Sequence, residues 1–114
     1  MSALGEVVAD EVGQLFHSDF QRFRSEDGVL GLAREDGGRL DILMILEIHP
    51  VIGIRRFLEQ CKGQYTTICI WEANNLGLGK RLLECGFSDA IDLIHGELVS
   101  GYRWDAEWLR GAQL

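Results

Sequence analysis

The chain has 114 residues, of which 46% are hydrophobic and 25% charged, and these values predict one globular domain spanning residues 1–114. Its formal net charge of −7 argues against nucleic acid as a partner, because nucleic acid favours a basic surface. No apolar run reaches the roughly 20 residues needed to cross a bilayer, so we also expect no membrane segment.

The cysteines indicate a reducing compartment. There are three, widely spaced and without a C-x-x-C pair, and the N-terminus lacks the pattern of a signal peptide. We therefore expect reduced thiols in a cytoplasmic protein. Neither the cysteines nor the histidines show the spacing of metal ligands, so no metal site is expected.

The first predicted elements are a helix and three strands. Between residues 2 and 16, apolar side chains recur at helical spacing after Ser2, which predicts an amphipathic first helix. Two turn signals follow, EDG at 26–28 and EDGG at 35–38. They predict an antiparallel meander with strands near residues 20–25, 28–34 and 39–49.

The third of these strands is apolar on both faces, which predicts a central strand of a sheet covered on both sides. Strict alternation divides its residues into two sets. One face would hold Leu40, Ile42, Met44, Leu46 and Ile48, and the other Asp41, Leu43, Ile45 and Glu47.

The segment after Pro50 predicts a βαβ unit. An apolar stripe from Val51 to Cys61 predicts a helix that ends at Lys62-Gly63, and the β-branched segment 64–73 predicts a strand parallel to the third one. A second helix over 74–87 and two strands in 88–96 and 102–109, forming a hairpin, would complete the chain.

These elements define an α+β fold with a mixed central sheet. About six strands are expected, mostly antiparallel with one parallel pair, flanked by about three helices. Three aromatic residues of the closing hairpin alternate onto one face: Tyr102, Trp104 and Trp108. If no helix covers that face, it is expected to be a homodimer or partner surface.

Two stretches, together with the order of elements, resemble the GCN5-related N-acetyltransferase (GNAT) superfamily. The stretch LEIHPVIGIRRFLEQC, residues 46–61, resembles its central strand, short glycine-containing loop and cofactor-binding helix. The stretch ICIWEANNLGLGKRLLECGF, residues 68–87, resembles its diverging parallel strand and following helix, with Asn75 and Gly86-Phe87 at the family spacing. The resemblance implies a GNAT-like fold.

The resemblance also implies that acetyl-CoA or another acyl-CoA is the co-substrate. The expected cofactor-binding residues are Leu46, Ile48, Val51, Ile52, Gly53, Ile54, Arg55, Arg56 and Asn75. Free N–H groups and the positive end of the helix dipole would hold a diphosphate at the helix start. Two alternatives stay open: Arg55 and Arg56 could instead pair with Glu59 or another carboxylate, and Asn75 could simply cap the second helix.

The implied reaction is transfer of an acyl group to an amine of a small molecule or protein. This chemistry needs a base, and Glu47 is the first candidate, with His49 second. Tyr102 of the closing hairpin, or solvent, would supply the proton for the leaving thiolate. Either Glu47 or His49 could instead be a structural polar group at a strand end, which is the favoured interpretation for each residue taken alone.

The chain departs from the family pattern in three ways: the loop before Gly53 is short, Leu82 stands at the position of the family's tyrosine acid, and the N-terminal region is brief. These departures favour an alternative function, a catalytically degenerate GNAT-fold binding or regulatory protein. Compact versions of this kind resemble bacteriophage-encoded proteins, and by that analogy the expected target is a host protein, in the host cytoplasm, or the virion. A third reading is an α+β domain that only mimics the pattern.

Overall fold

A computed structural model describes residues 6–8, 19–48, 53–73 and 77–107. These ranges contain seven strands and two helices. In chain order they are β1 (Glu6–Val8), β2 (Gln21–Arg24), β3 (Val29–Asp36), β4 (Arg39–Ile48), α1 (Gly53–Gln64), β5 (Thr67–Trp71), α2 (Gly79–Glu84), β6 (Ser88–Ile94) and β7 (Glu97–Asp105). Neither described helix is long and apolar enough to cross a membrane.

All seven strands form one mixed sheet in the order β1-β2-β3-β4-β5-β7-β6. Strands β4 and β5 are parallel neighbours joined through α1, and every other neighbouring pair is antiparallel. The prediction of an α+β fold with a central third strand, a βαβ unit and a closing hairpin is therefore confirmed.

The beginning of the chain corrects the prediction of a first helix. Glu6–Val8 form an edge strand that pairs with β2, with Val7 opposite Phe23. The β-branched pair Val7-Val8 favours extended backbone, and pairing with the edge of β2 outweighs the helical spacing of the apolar residues. The rest of the predicted helix, residues 2–5 and 9–16, lies outside the described residues.

Strand β4 is irregular, and this corrects the predicted division of its faces. Its pairing with β3 shifts register twice, so that neither Leu43 nor Leu46 has a partner in β3. Each shift reverses the alternation of side chains. Ile45 consequently packs in the same core as Leu40 and Ile42, whereas alternation alone assigns it to the opposite face.

Both helices pack on one face of the sheet, which we call the helix face. Its core joins the α1 residues Ile54, Phe57, Leu58 and Cys61 and the α2 residue Leu82 to apolar side chains of β2–β5. Helix α1 continues through Gly63 to Gln64, two residues beyond the predicted end at Lys62-Gly63. The i→i−4 pattern persists because the Tyr65 N–H donates to the Cys61 carbonyl at 2.9 Å.

The opposite face of the sheet carries no helix among the described residues, and we call it the ionic face. A smaller core of Phe20, Leu43, Cys69, Trp71 and Ile94 lies there beside charged side chains. Contacts of Asp92, Ile94 and His95 with residues of β4 and the start of β2 show that the β6–β7 hairpin bends over this face.

Candidate functional site

The feature that positions a site is the divergence of β4 from β5. Only Arg39–Ile42 pair with β5, through Thr67–Ile70, whereas β4 continues to Ile48. Among the described residues, no strand pairs with 43–48 on the β5 side. At about 3.3 Å per residue, this leaves roughly 20 Å of strand edge without a described strand partner.

The predicted site residues of β4 lie along this open edge. Leu46 is at the second register shift and its side chain is 44% exposed, an unusual state for leucine in a central strand. Ile48 packs against the core of the helix face. Glu47 lies opposite Leu30 of β3, and its side chain is not described.

The start of α1 lies at the same end of the sheet as the open edge, since α1 follows β4. Arg55 and Arg56, in its first turn, are exposed and form no ion pair with the other described residues. Glu59, their expected alternative partner, instead lies 3.8 Å from Lys62 Nζ. Ile54 is buried in the core, so only its backbone is available to a ligand.

Asp27, which the sequence analysis did not single out, lies against the beginning of α1. A Cβ atom on Gly53 would collide with the Asp27 carbonyl oxygen and lie 3.6 Å from the Asp27 Cβ, so Gly53 is required for this packing. The Asp27 Oδ2 atom is buried and has no hydrogen-bond partner among the described residues. A carboxylate there interacts favourably with the helix dipole, at the position expected for a diphosphate.

Tyr102 lies on the far side of β5 from the open edge. It is opposite Ile70 of β5, which is itself opposite Ile42 of β4. Glu47 is five residues further along β4, roughly 16 Å at the rise of a strand, so the fold does not bring Tyr102 and Glu47 to neighbouring positions.

Tyr102 does line a cavity of about 220 Å³ beside the end of β5. The other lining residues are Ala73, Asp89, Ala90, Ile91, Ser100 and Gly101. With a tyrosine, an aspartate and a serine on its wall, the cavity can accept a small polar group. Tyr102 and Trp104 also pack against the core of the helix face, so at these two positions the face proposed for a dimer is covered.

Four predicted site residues, His49, Val51, Ile52 and Asn75, lie outside the described residues, as does Trp108 of the aromatic set. The described part of the chain contains no group of three or more His, Cys, Asp or Glu side chains placed to hold a metal ion.

The Gly86-Phe87 pair forms the end of α2. Gly86 has a φ of +93°, and its N–H donates to the Leu83 carbonyl while the Phe87 N–H donates to the Leu82 carbonyl at 3.0 Å. This is a Schellman motif, which requires a residue that tolerates positive φ and a following apolar residue. Leu82, which stands where the GNAT pattern has a tyrosine, is fully buried and packs in the core of the helix face.

Charged side chains on the ionic face form a network that the sequence analysis missed. Asp41 is 2% exposed and is contacted by Arg34 at 3.3 Å, by Arg39 at 3.0 Å and by Trp71 Nε1 at 3.3 Å. Arg39 also lies 3.0 Å from Asp92 of β6. No spacing in the sequence indicates this pairing, because the partners are up to 53 residues apart.

The network extends to the beginning of β2. Arg34 lies 2.5 Å from Asp19, whose other oxygen lies 2.7 Å from His95 Nε2 in the β6–β7 turn. Burial opposes ionisation of Asp19, but hydrogen bonds from Arg34 and His95 outweigh it and hold the pKa of Asp19 below its ordinary value. The network thus ties the end of the hairpin to the ionic face.

Two of the cysteines are poor nucleophiles. Burial, with nearby carboxylates, raises the pKa of Cys61 to about 12, and burial raises that of Cys69 to about 11. Because the thiolate is the reactive form, neither side chain suits covalent catalysis at neutral pH.

Comparisons with known proteins do not assign the site. A scan against protein-family models, a search of curated proteins and a search of solved structures each found no match to this chain.

Proposed function

We propose that this chain is a compact acyl-CoA-dependent N-acyltransferase, which moves an acyl group from acetyl-CoA or a related thioester to an amine of a small molecule or protein. The observation that carries the proposal is the open edge of β4 beside the start of α1. An extended amide-containing arm can pair with such an edge as an added strand does.

The charges of α1 support the same ligand. Two arginines in the first turn of a helix are unfavourable to the helix dipole, and neither is neutralised by another described residue. A bound diphosphate would relieve this conflict and would also accept hydrogen bonds from the free N–H groups at the helix start. Arg55, Arg56 and the backbone near Gly53 would therefore bind the diphosphate, and Leu46 would contact the pantetheine arm.

The chemistry of this proposal needs few groups. Glu47, or His49 in its place, removes a proton from the acceptor ammonium, directly or through water. The amine then attacks the thioester carbonyl, an amide bond forms, and the carbon–sulfur bond breaks. The thiolate takes its proton from solvent, because Tyr102 lies on the far side of β5 from the open edge.

Thermal unfolding with and without acetyl-CoA tests the binding step. Ligand at 100 times its dissociation constant stabilises a protein by about 2.7 kcal/mol, and we expect a shift of that size. The double variant Arg55→Ala/Arg56→Ala should lose most of the shift with acetyl-CoA but little with acetyl-pantetheine, which lacks the diphosphate. The matched control is Lys80→Ala/Arg81→Ala, which removes two exposed cations from α2. No shift with either ligand would overturn the proposal.

Transfer itself is tested on a panel of amines with the Glu47→Gln variant. Retained binding of acetyl-CoA with lost transfer would support Glu47 as the base. Equal transfer by the variant and the parent would exclude that role.

A second candidate function, a GNAT-like binding protein without catalysis, is favoured by Asp27. Asp27 packs against Gly53 at the start of α1, and its buried carboxylate oxygen would compete with a diphosphate there. Under this candidate, Asp27→Asn should tighten acetyl-CoA binding while no amine is acylated by either protein. Transfer by the parent chain to any amine would exclude it.

A further inference from the structure

The β6–β7 hairpin exposes three large apolar side chains on one face. Leu93 and Leu98 are directly opposite each other, and Ile91 is two residues from Leu93 on the same side of β6. Their exposed fractions are 63% for Leu93, 75% for Leu98 and 73% for Ile91, the highest of the large hydrophobic residues described. Because the hairpin bends over the ionic face, this apolar patch points away from the body of the protein.

The same side chains lie next to an edge of β6 that no other described strand pairs with. Strand β6 is the last strand of the described sheet. The turn after it, His95-Gly96, has positive φ at both residues, as a two-residue type I′ turn requires, so Ile94 and Glu97 form the hydrogen-bonded closing pair. Counting back from that pair, Leu93, Ile91 and Asp89 direct their backbone N–H and C=O groups outward.

We propose that two copies of this chain associate through antiparallel pairing of β6 with β6, about a two-fold axis at Asp92. In this register, Ile91 of each copy lies opposite Leu93 of the other. In the single chain the Leu93 N–H donates to Asp92 Oδ1 at 2.8 Å, so on pairing it exchanges this carboxylate for the Ile91 carbonyl of the other copy, and the two residues meet as hydrogen-bonded pairs. Leu98 of each copy extends the apolar band across the joined sheet. This inference does not depend on acyl-CoA binding.

The pattern of β6 favours a second copy as the occupant because the edge is self-complementary. Shifting the pairing by two residues in one direction places the carboxylate of Asp89 against Leu93, and shifting it in the other places Ile91 against His95 of the turn. Each shifted register keeps one apolar pair, Ile91 with Ile91 or Leu93 with Leu93, but only the register centred on Asp92 gives both residues an apolar partner on the exposed face. A two-fold contact requires this kind of self-matching surface.

Charge on the opposite face is compatible with the same register. The two Asp92 side chains would be neighbours across the axis, but each lies 3.0 Å from the Arg39 guanidinium of its own chain. The axis would therefore carry two carboxylates and two guanidinium groups, which can share hydrogen bonds between the copies. An edge without such compensation would repel its own copy.

Sedimentation of the full chain over a range of concentrations tests the association. We expect a reversible dimer for the parent and a dissociation constant at least about 30-fold weaker for Leu93→Lys, as for an apolar residue at the centre of an interface. The control is Leu83→Lys, because Leu83 is 49% exposed and lies on α2, outside the β6 edge. A parent that stays monomeric up to about millimolar concentration, or equal weakening by both variants, would overturn the proposal.

The register is tested by oxidative cross-linking. In the proposed register the two copies of residue 92 lie opposite each other at a non-hydrogen-bonded position. Cα atoms at such a position are about 4.5 Å apart, which is within the range of a disulfide. Asp92→Cys should thus give a cross-linked dimer, whereas Ser88→Cys, on the same strand and face, should not. A cross-link at 88 or none at 92 would exclude this register.

A further variant, Ile91→Pro, distinguishes loss of the dimer contact from misfolding of the hairpin. Ile91→Pro deletes an N–H that points outward, so the β6–β7 pairs should persist, as far-ultraviolet circular dichroism can verify. The folded variant should be monomeric; a folded dimer of Ile91→Pro would overturn edge pairing.

Discussion

The two faces of the sheet are stabilised by different interactions. On the helix face, α1 and α2 bury a continuous apolar core in which Phe23 and Phe57 stack with ring centroids 5.5 Å apart. On the ionic face, a small apolar cluster is bordered by Asp41 and its arginine partners. The helix face is held by many interchangeable contacts, whereas the ionic face is held by a few specific ones, which predicts different responses to mutation and pH.

The largest expected effect is on the helix face. Phe57→Ala removes a fully buried ring from the contact between α1 and β2. Deleting a buried phenylalanine costs about 4 kcal/mol through lost burial and the cavity that remains. Urea unfolding followed by circular dichroism measures this change, and the midpoint should fall with little change in slope.

The matched comparison is Phe57→Leu, which keeps the site apolar and fills much of its volume. We expect about 1–2 kcal/mol, because hydrophobic substitution near the original volume is tolerated. Equal losses for alanine and leucine would mean that the stacked geometry, rather than burial, stabilises this face.

The next effect is on the ionic face. Asp41→Asn removes the charge that Arg34 and Arg39 share, while keeping nearly the same volume. Breaking a buried ion pair costs about 3–5 kcal/mol, and we expect about 3 because Arg34 and Arg39 are 28% and 33% exposed. The control Asp36→Asn lies at the exposed end of β3 and should change the free energy of unfolding by less than about 0.5 kcal/mol.

A loss below about 1 kcal/mol for Asp41→Asn would show that the network orders the hairpin without stabilising the fold. Hydrogen exchange of the β6–β7 amides would distinguish the two roles. Faster exchange confined to the hairpin would indicate local opening rather than global destabilisation.

The sequence predicted the helix face better than the ionic face for a physical reason. The stripe from Ile54 to Cys61 is a local periodicity, and so is the β-branched pattern of β5. In the sequence, Asp41 is one polar residue in an apolar strand. The charged network around it could not be predicted, because the network depends on how the hairpin bends. Gly101 allows β7 to approach β5 closely, since a Cβ there would collide with the Ile70 carbonyl oxygen and lie 2.7 Å from the Trp71 ring, yet a single glycine in a strand does not indicate this packing.

The candidate site was predictable in part for the same reason. The βαβ unit follows from local patterns, and it brings the start of α1 to the open edge of β4. The register shifts at Leu43 and Leu46 are set by pairing with β3 and have no local signal, so the face assigned to Ile45 was wrong. Asp27 came to the start of α1 only through packing of the β2–β3 turn.

The smallest effect is the pH dependence of the ionic face. The Leu93 N–H and the Arg39 guanidinium donate to Asp92 and hold its pKa below the ordinary value, and the pKa of Asp19 is lowered as well. A carboxylate with a lowered folded-state pKa contributes stability above the unfolded value, near 3.9, and loses it as the pH falls through the folded value.

We therefore expect the free energy of unfolding to decline below about pH 4, and the decline to be shallower in Asp92→Asn than in the parent. Urea unfolding between pH 7 and pH 3, at a protein concentration low enough to keep the chain monomeric, measures the difference. Since Asp92 is partly exposed and screened by solvent, the change should be small beside that of Asp41→Asn. Identical pH profiles for parent and variant would mean that the Arg39–Asp92 contact adds nothing to the stability of the monomer, and would leave joining two copies as its remaining role.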